Sequence, residues 1–200
     1  MLALLHFHIS HQLGAMLVSI GMLIVFSLLY LFSGFTFSLE IYIFICISIF
    51  AVEVIAITRR RNLENYFNTF PIKRKNHVMA PMLIAWGYCV LIFLFGLPVA
   101  LVSEDQSGKG ILFSYSLYFC MSITSIAVVF YINYRFRDRD KFQFMSYCVA
   151  IGTSIVVGII YIIFMIFLGF IPYYLIPVLF HIVLWISYKK CVRMYELDIV

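Results

Sequence analysis

Charged residues partition this chain. Along its 200 residues long apolar runs alternate with short polar connections, and nearly all the basic side chains fall in every second connection. Arg59, Arg60, Arg61, Lys73, Arg74 and Lys75 follow the second run, and Arg135, Arg137, Arg139 and Lys141 follow the fourth. Lys189, Lys190 and Arg193 follow the sixth, whereas the intervening connections hold Lys109 alone. Lysine and arginine in short loops stay on the cytoplasmic side of a bilayer, so thirteen against one predicts that both termini and both large polar loops are cytoplasmic. The spans are expected at residues 14–33, 39–58, 79–102, 111–134, 142–169 and 175–188 of a single domain, residues 1–200. About 20 apolar residues cross the hydrocarbon at 1.5 Å each. Dropping or adding a span would scramble the clusters, so count and charge pattern support each other. The fold class read here is an all-α integral membrane protein with six transmembrane helices.

Composition agrees. With 64% hydrophobic and 12% charged residues and a mean hydropathy of +1.06, the chain has too little polar surface for a soluble domain, where about 25% of residues are charged. The formal net charge of +5 is spread over short clusters between apolar runs, not over one phosphate-tracking face, which argues against nucleic acid as a partner. Cys46, Cys89, Cys120 and Cys148 lie within apolar runs and Cys191 in the terminal polar segment, with no CxxC or Cys/His cluster to hold a metal. The start, MLALLHFHISHQLG, lacks the basic region and cleavage site of a signal peptide and is expected to form a short interfacial helix over residues 1–13. Its His6, His8 and His11 do not share one helical face.

The second span carries an acid, Glu53, six positions before Arg59. An intramembrane carboxylate is a functional candidate, and the alternative is a side chain that snorkels to the boundary or pairs with a neighbouring arginine. The stretch SEDQSGKG at 103–110 has serine where a phosphate loop needs its first glycine, and no strand precedes it, so it does not read as a nucleotide site. Pro172 ends the fifth run, the sixth is short with Pro177 near its start and His181 inside, and KKCVRMYELDIV reads as a tail. His181 has no acid partner in its own span and reads as a packing residue.

Between the second and third spans lies a polar island with a pattern of its own, the cytosolic loop 59–78. Leu63, Tyr66, Phe67 and Phe70 fall at i, i+3, i+4 and i+7 and would share one face of a short amphipathic helix. Pro71 then ends it and a basic triplet follows. Such a helix suits either a groove on a partner or an anionic lipid surface.

The island LENYFNTFPIKR, Leu63 to Arg74, resembles the loop after the second span in permeases of ABC-2 type transporters, where a Glu-bearing short helix runs into a Thr/Ser-x-Pro element and then a basic step. Glu64, Phe67, Thr69, Pro71, Ile72 and Arg74 fit that pattern. YRFRDRDKF, Tyr134 to Phe142, is similar to the basic aromatic connection between spans four and five of small bacterial members. The start of the chain departs from the many members that carry a longer basic amphipathic helix there.

The resemblance implies a multi-pass permease in a bacterial plasma membrane. Its short coupling helix would dock on a separate ABC ATPase subunit through Tyr66, Phe67 and Phe70. Because the chain lacks a Walker motif, ATP and Mg would sit on that partner, and this chain would bind no cofactor and be no enzyme. A second permease copy, identical or a paralogue, would complete the conduit in the lipid membrane. The size looks most like exporters of small amphipathic peptides or toxins, including the phenol-soluble modulin exporters.

Two rival readings stand beside it. A substrate-capture membrane subunit for vitamin uptake would need a small-residue docking face, which is not prominent in the first span. A membrane peptidase would need a nucleophile and base that converge. His77 and Cys89 are twelve positions apart, about 18 Å along one helix, and His181 and Cys191 fail similarly.

Overall fold

The computed structural model describes residues 2–33, 39–60, 74–102, 108–136, 141–168 and 172–197. These form helices α1 (Leu2–Ser33), α2 (Leu39–Arg60), α3 (Arg74–Val102), α4 (Gly108–Arg135), α5 (Lys141–Leu168) and α6 (Pro172–Leu197). Three of them contain long apolar stretches able to cross a membrane: Lys75–Pro98, Phe113–Arg135 and Met145–Phe164, with mean hydropathies of 2.2, 1.7 and 2.3. The chain is thus an all-α, multi-pass membrane protein. Its outward faces agree: Leu17 and Val18 on α1, Leu94 and Phe95 on α3, and Ile166 and Phe167 on α5 are all exposed. In a bilayer such side chains meet acyl chains as apolar as themselves.

Helix α4 is the axis. It packs against α2, α3, α5 and α6, while α1 lies outside on α3 and α2. The apolar stretch of α4 is 67% buried, against 22% for that of α5, so among these three stretches hydropathy runs opposite to burial. Polar side chains are tolerated on α4 because neighbouring helices satisfy them. Ser125 donates to Ser48 of α2 at 3.0 Å, and Asn133 donates to Ser146 of α5 at 3.2 Å. Ser187 of α6 donates to the Ala127 carbonyl at 2.7 Å, and Tyr161 of α5 to Ser116 at 2.8 Å.

The α4–α5 seam shows how so apolar a helix is seated. Ser146, Ala150, Ser154 and Gly158 recur every fourth residue and are all buried, which makes one small-residue stripe down the face turned to α4. Small side chains let two backbones approach closely, and close approach is the main attraction between helices in lipid. Ser154 uses that approach to reach the Met121 carbonyl at 3.3 Å.

Helix bounds match the expected spans within a few residues for α2, α4 and α5, and three expectations are corrected. First, α1 is unbroken from Leu2, so residues 1–13 form no separate entering helix. Gly14 is the one boundary signal there, and a lone glycine does not end a helix. Second, α3 starts at Arg74, not near Met79, and continues through Pro81 and Pro98. Third, the sixth helix is not short and residues 189–197 are not a tail, because α6 runs to Leu197. Cys191 and Tyr195 are buried and Lys189, Lys190, Arg193 and Glu196 exposed or partly so, and the helical period carries on past the first charges.

Overfilling the α4–α5 stripe tests this seating. Ser154→Leu should cost about 1–3 kcal/mol through lost close approach, whereas Ile155→Leu on the exposed face should be near neutral. Unfolding in detergent micelles, followed by tryptophan fluorescence, measures both.

Candidate functional site

Four of the basic residues that the sequence singles out stand at helix ends. Arg60 closes α2, Arg74 opens α3, Arg135 closes α4 and Lys141 opens α5. Arg135 is exposed, as are Lys75, Lys189 and Lys190. Leu63, Glu64, Tyr66, Phe67, Thr69, Phe70, Pro71 and Ile72, together with Arg137 and Arg139, lie outside the described residues. The expected amphipathic coupling helix falls outside the described residues, between the end of α2 and the start of α3 in the chain.

Aromatic rings fasten the start of α3. Tyr195 of α6 stacks on His77 of α3 with ring centroids 6.0 Å apart and meets Tyr134 of α4 edge-on at 6.2 Å. Both distances lie in the favourable range for ring pairs. The Lys190 ammonium sits 5.7 Å from the Tyr131 ring and adds a cation–π contact between α6 and α4. One ring thus ties three helices directly beneath the points where both polar loops leave the bundle. The tail reading missed this clasp, although Leu184, Tyr188, Cys191 and Tyr195 at i, i+4, i+7 and i+11 carry the signal.

On the other side of α3, the start of α1 covers the same end. Leu4 packs on Ala80, and His8 and Gln12, one turn apart, are 2% and 1% exposed. His6 and His11 point outward, so the three histidines diverge as their spacing predicts. Among the described residues His8 Nδ1 and Gln12 Nε2 find no hydrogen-bond partner. His8 precedes the first expected span, and its imidazole is pushed down to about 4, first by burial and then by repulsion from His11 and His77.

A groove between α3 and α6 opens beside this clasp, with a volume of about 250 Å³. Met79, Met82, Leu83 and Trp86 form its α3 wall. The α6 wall is His181, Leu184, Trp185 and Tyr188. Trp86 Nε1–H donates to His181 Nε2 at 3.1 Å, and His181 Nδ1 lies 2.8 Å from the Pro177 carbonyl. Since the tryptophan can only donate, Nε2 accepts and Nδ1 carries the proton. Both ring nitrogens are satisfied in a neutral tautomer, in keeping with the packing role expected of His181.

Glu53 is half-buried on α2 and makes no ion pair among the described residues. His77 and Cys89 lie on the uninterrupted α3, and His181 and Cys191 on the uninterrupted α6, so neither pair converges. No three His, Cys, Asp or Glu residues among those described gather as a metal site. Compared with protein-family models, curated proteins and solved structures, the chain matches none.

Two measurements probe this end. For His8 the folded state takes its proton only near pH 4 and the unfolded chain near 6.5. Its contribution is therefore complete above about pH 6.5 and is lost as the pH falls toward 4. Stability in detergent should drop by roughly 2 kcal/mol between pH 7.5 and 5, and His8→Leu should remove most of that slope. Tyr195→Ala should cost on the order of 3 kcal/mol, measured by thermal unfolding at pH 7.5.

Proposed function

We propose that this chain is the transmembrane subunit of an ATP-driven ABC-2 type exporter in a bacterial plasma membrane, energised by a separate ATPase and moving small amphipathic peptides or toxins outward. The observation that carries the reading is the island LENYFNTFPIKR, whose Leu63, Tyr66, Phe67 and Phe70 are expected on one face, in the sequence between the end of α2 and the start of α3. Both termini and both large polar loops lie on the cytoplasmic side, where the basic residues collect.

The physics of coupling favours such an arrangement. An ATPase that closes on ATP must push on something stiff, and a docked helix with aromatic knobs transmits force only if its anchors do not yield. Here the start of α3 is held to α4 and α6 through His77, Tyr195 and Tyr134. Displacement at the island would pass into three helices together. Basic residues such as Arg74, Arg135, Arg137, Arg139 and Lys141 would steer encounter with the ATPase more than add affinity. Cargo would move at the junction with a second permease copy, identical or a paralogue. ATP and Mg belong to the ATPase, so the chain itself acts as a conduit.

Co-purification from the native membrane tests the proposal. The tagged chain should bring down an ATP-binding subunit, and the Phe67→Asp, Phe70→Asp double variant should lose it while unfolding at an unchanged temperature. Recovery of no ATPase by the unaltered chain would overturn the reading.

A further inference from the structure

We infer that the α3–α6 groove is a binding site for an anionic phospholipid of the leaflet at the basic end, with an acyl chain between the two helices and its phosphate among Lys75, Lys189 and Arg193. The inference needs the groove and its charges alone and does not rest on the export reading.

The walls have the chemistry of an acyl-chain site. Aside from the paired Trp86 and His181 ring nitrogens, they are built of methionine, leucine and aromatic carbon. That internal hydrogen bond leaves the floor with no polar request to make of an occupant. Two methionines on one wall give an adaptable surface that follows a flexible chain. At about 250 Å³ the space is smaller than the roughly 300–1,000 Å³ of a drug-sized cleft, and it suits a single slender chain. Leu83 and Trp185 are 37% and 54% exposed, so the groove opens sideways to lipid.

Both walls turn from apolar to basic at the same end. On α3, Lys75 stands one turn before Met79 on the face that continues to Leu83 and Trp86. On α6, Trp185, Lys189 and Arg193 follow one another at four-residue spacing. The Lys189 ammonium is 5.4 Å from the Trp185 ring and therefore caps the groove wall itself. The His77–Tyr195 stack brings the two helix ends side by side, and Lys75 and Lys189 each stand one turn beyond a groove residue, Met79 and Trp185. Glu196 is the acid on the same stretch of α6 and leaves the mouth net positive. Each basic residue near the surface adds to the attraction of such a cluster for a phosphate. A zwitterionic headgroup forgoes most of that gain, which makes the site selective for charge.

The chain carries its own reporter, because its two tryptophans, Trp86 and Trp185, both line the groove. The purified full chain is placed in phosphatidylcholine vesicles containing equal fractions of bromine-labelled phosphatidylglycerol or bromine-labelled phosphatidylcholine, and tryptophan quenching is titrated. Phosphatidylglycerol should associate roughly fivefold or more tightly. The Lys75→Gln, Lys189→Gln, Arg193→Gln variant should reduce that preference to near unity, and the groove-filling Leu83→Phe, Leu184→Phe variant should weaken quenching by the anionic lipid with the charges intact. Equal quenching by the two lipids in the unaltered chain would overturn the inference. So would shielding from both lipids that grows with protein-to-lipid ratio, which would mean that a second copy or its segment fills the groove.

Discussion

Hydroxyl groups on and around α4 hold this bundle together. A membrane helix gains no hydrophobic advantage by leaving lipid for protein, so its neighbours must offer close contact or a hydrogen bond. Helix α4 offers both. It takes Ser48 from α2, Ser146, Ser154 and Tyr161 from α5, and Ser187 from α6 along most of its length. Each bond is modest, about 0.6 kcal/mol by the average for membrane helices, and their value lies in fixing rotation. A helix whose apolar residues all suit lipid equally well has no preferred face until a serine or a glycine gives it one.

The same logic decides what can be read from the sequence. Hydropathy and the thirteen-to-one division of basic residues mark out the helices directly, since both report on the bilayer and not on neighbours. The length of α6 escaped because Lys189 and Lys190 look like a stop, although only the outward face is charged. Partners in space leave weaker traces. Nothing in the sequence pairs Trp86 with His181, ninety-five positions apart. The Ser146, Ala150, Ser154, Gly158 repeat is visible once sought, but it is the face of the helix with the least hydropathic contrast. Among the residues expected to act on a partner, Arg74, Arg135 and Lys141 are placed at helix ends, while the island itself lies outside the described residues.

Two proposed sites adjoin at the basic end. The proposed docking island leaves from α2 and α3, and the proposed lipid site occupies the cleft between α3 and α6. They meet at His77 and Tyr195, where a ring on α6 touches the start of α3. Lipid held between α3 and α6 would therefore bear on the helix that the proposed ATPase would push.

Gly96 marks the close approach in this arrangement. A methyl group there would come within 2.7 Å of Ile43 Cδ1 and 2.8 Å of the Tyr115 oxygen, so at that level α3 lies tight against α2 and α4 and a larger residue would have to displace those side-chain ends. Further down, Tyr88 stacks on Phe50 of α2 at 4.0 Å and meets Ser19 of α1, which makes a natural fulcrum. Along α3 the axial distance is about 12 Å from Gly96 to Tyr88 and about 16 Å from Tyr88 to His77. A sideways shift of the upper part about Tyr88 would reach the start of the helix through Pro81, where the missing N–H lets the helix bend. The tight contact at Gly96 and a bendable turn thus lie on opposite sides of Tyr88, with the proposed docking loop beyond the bend.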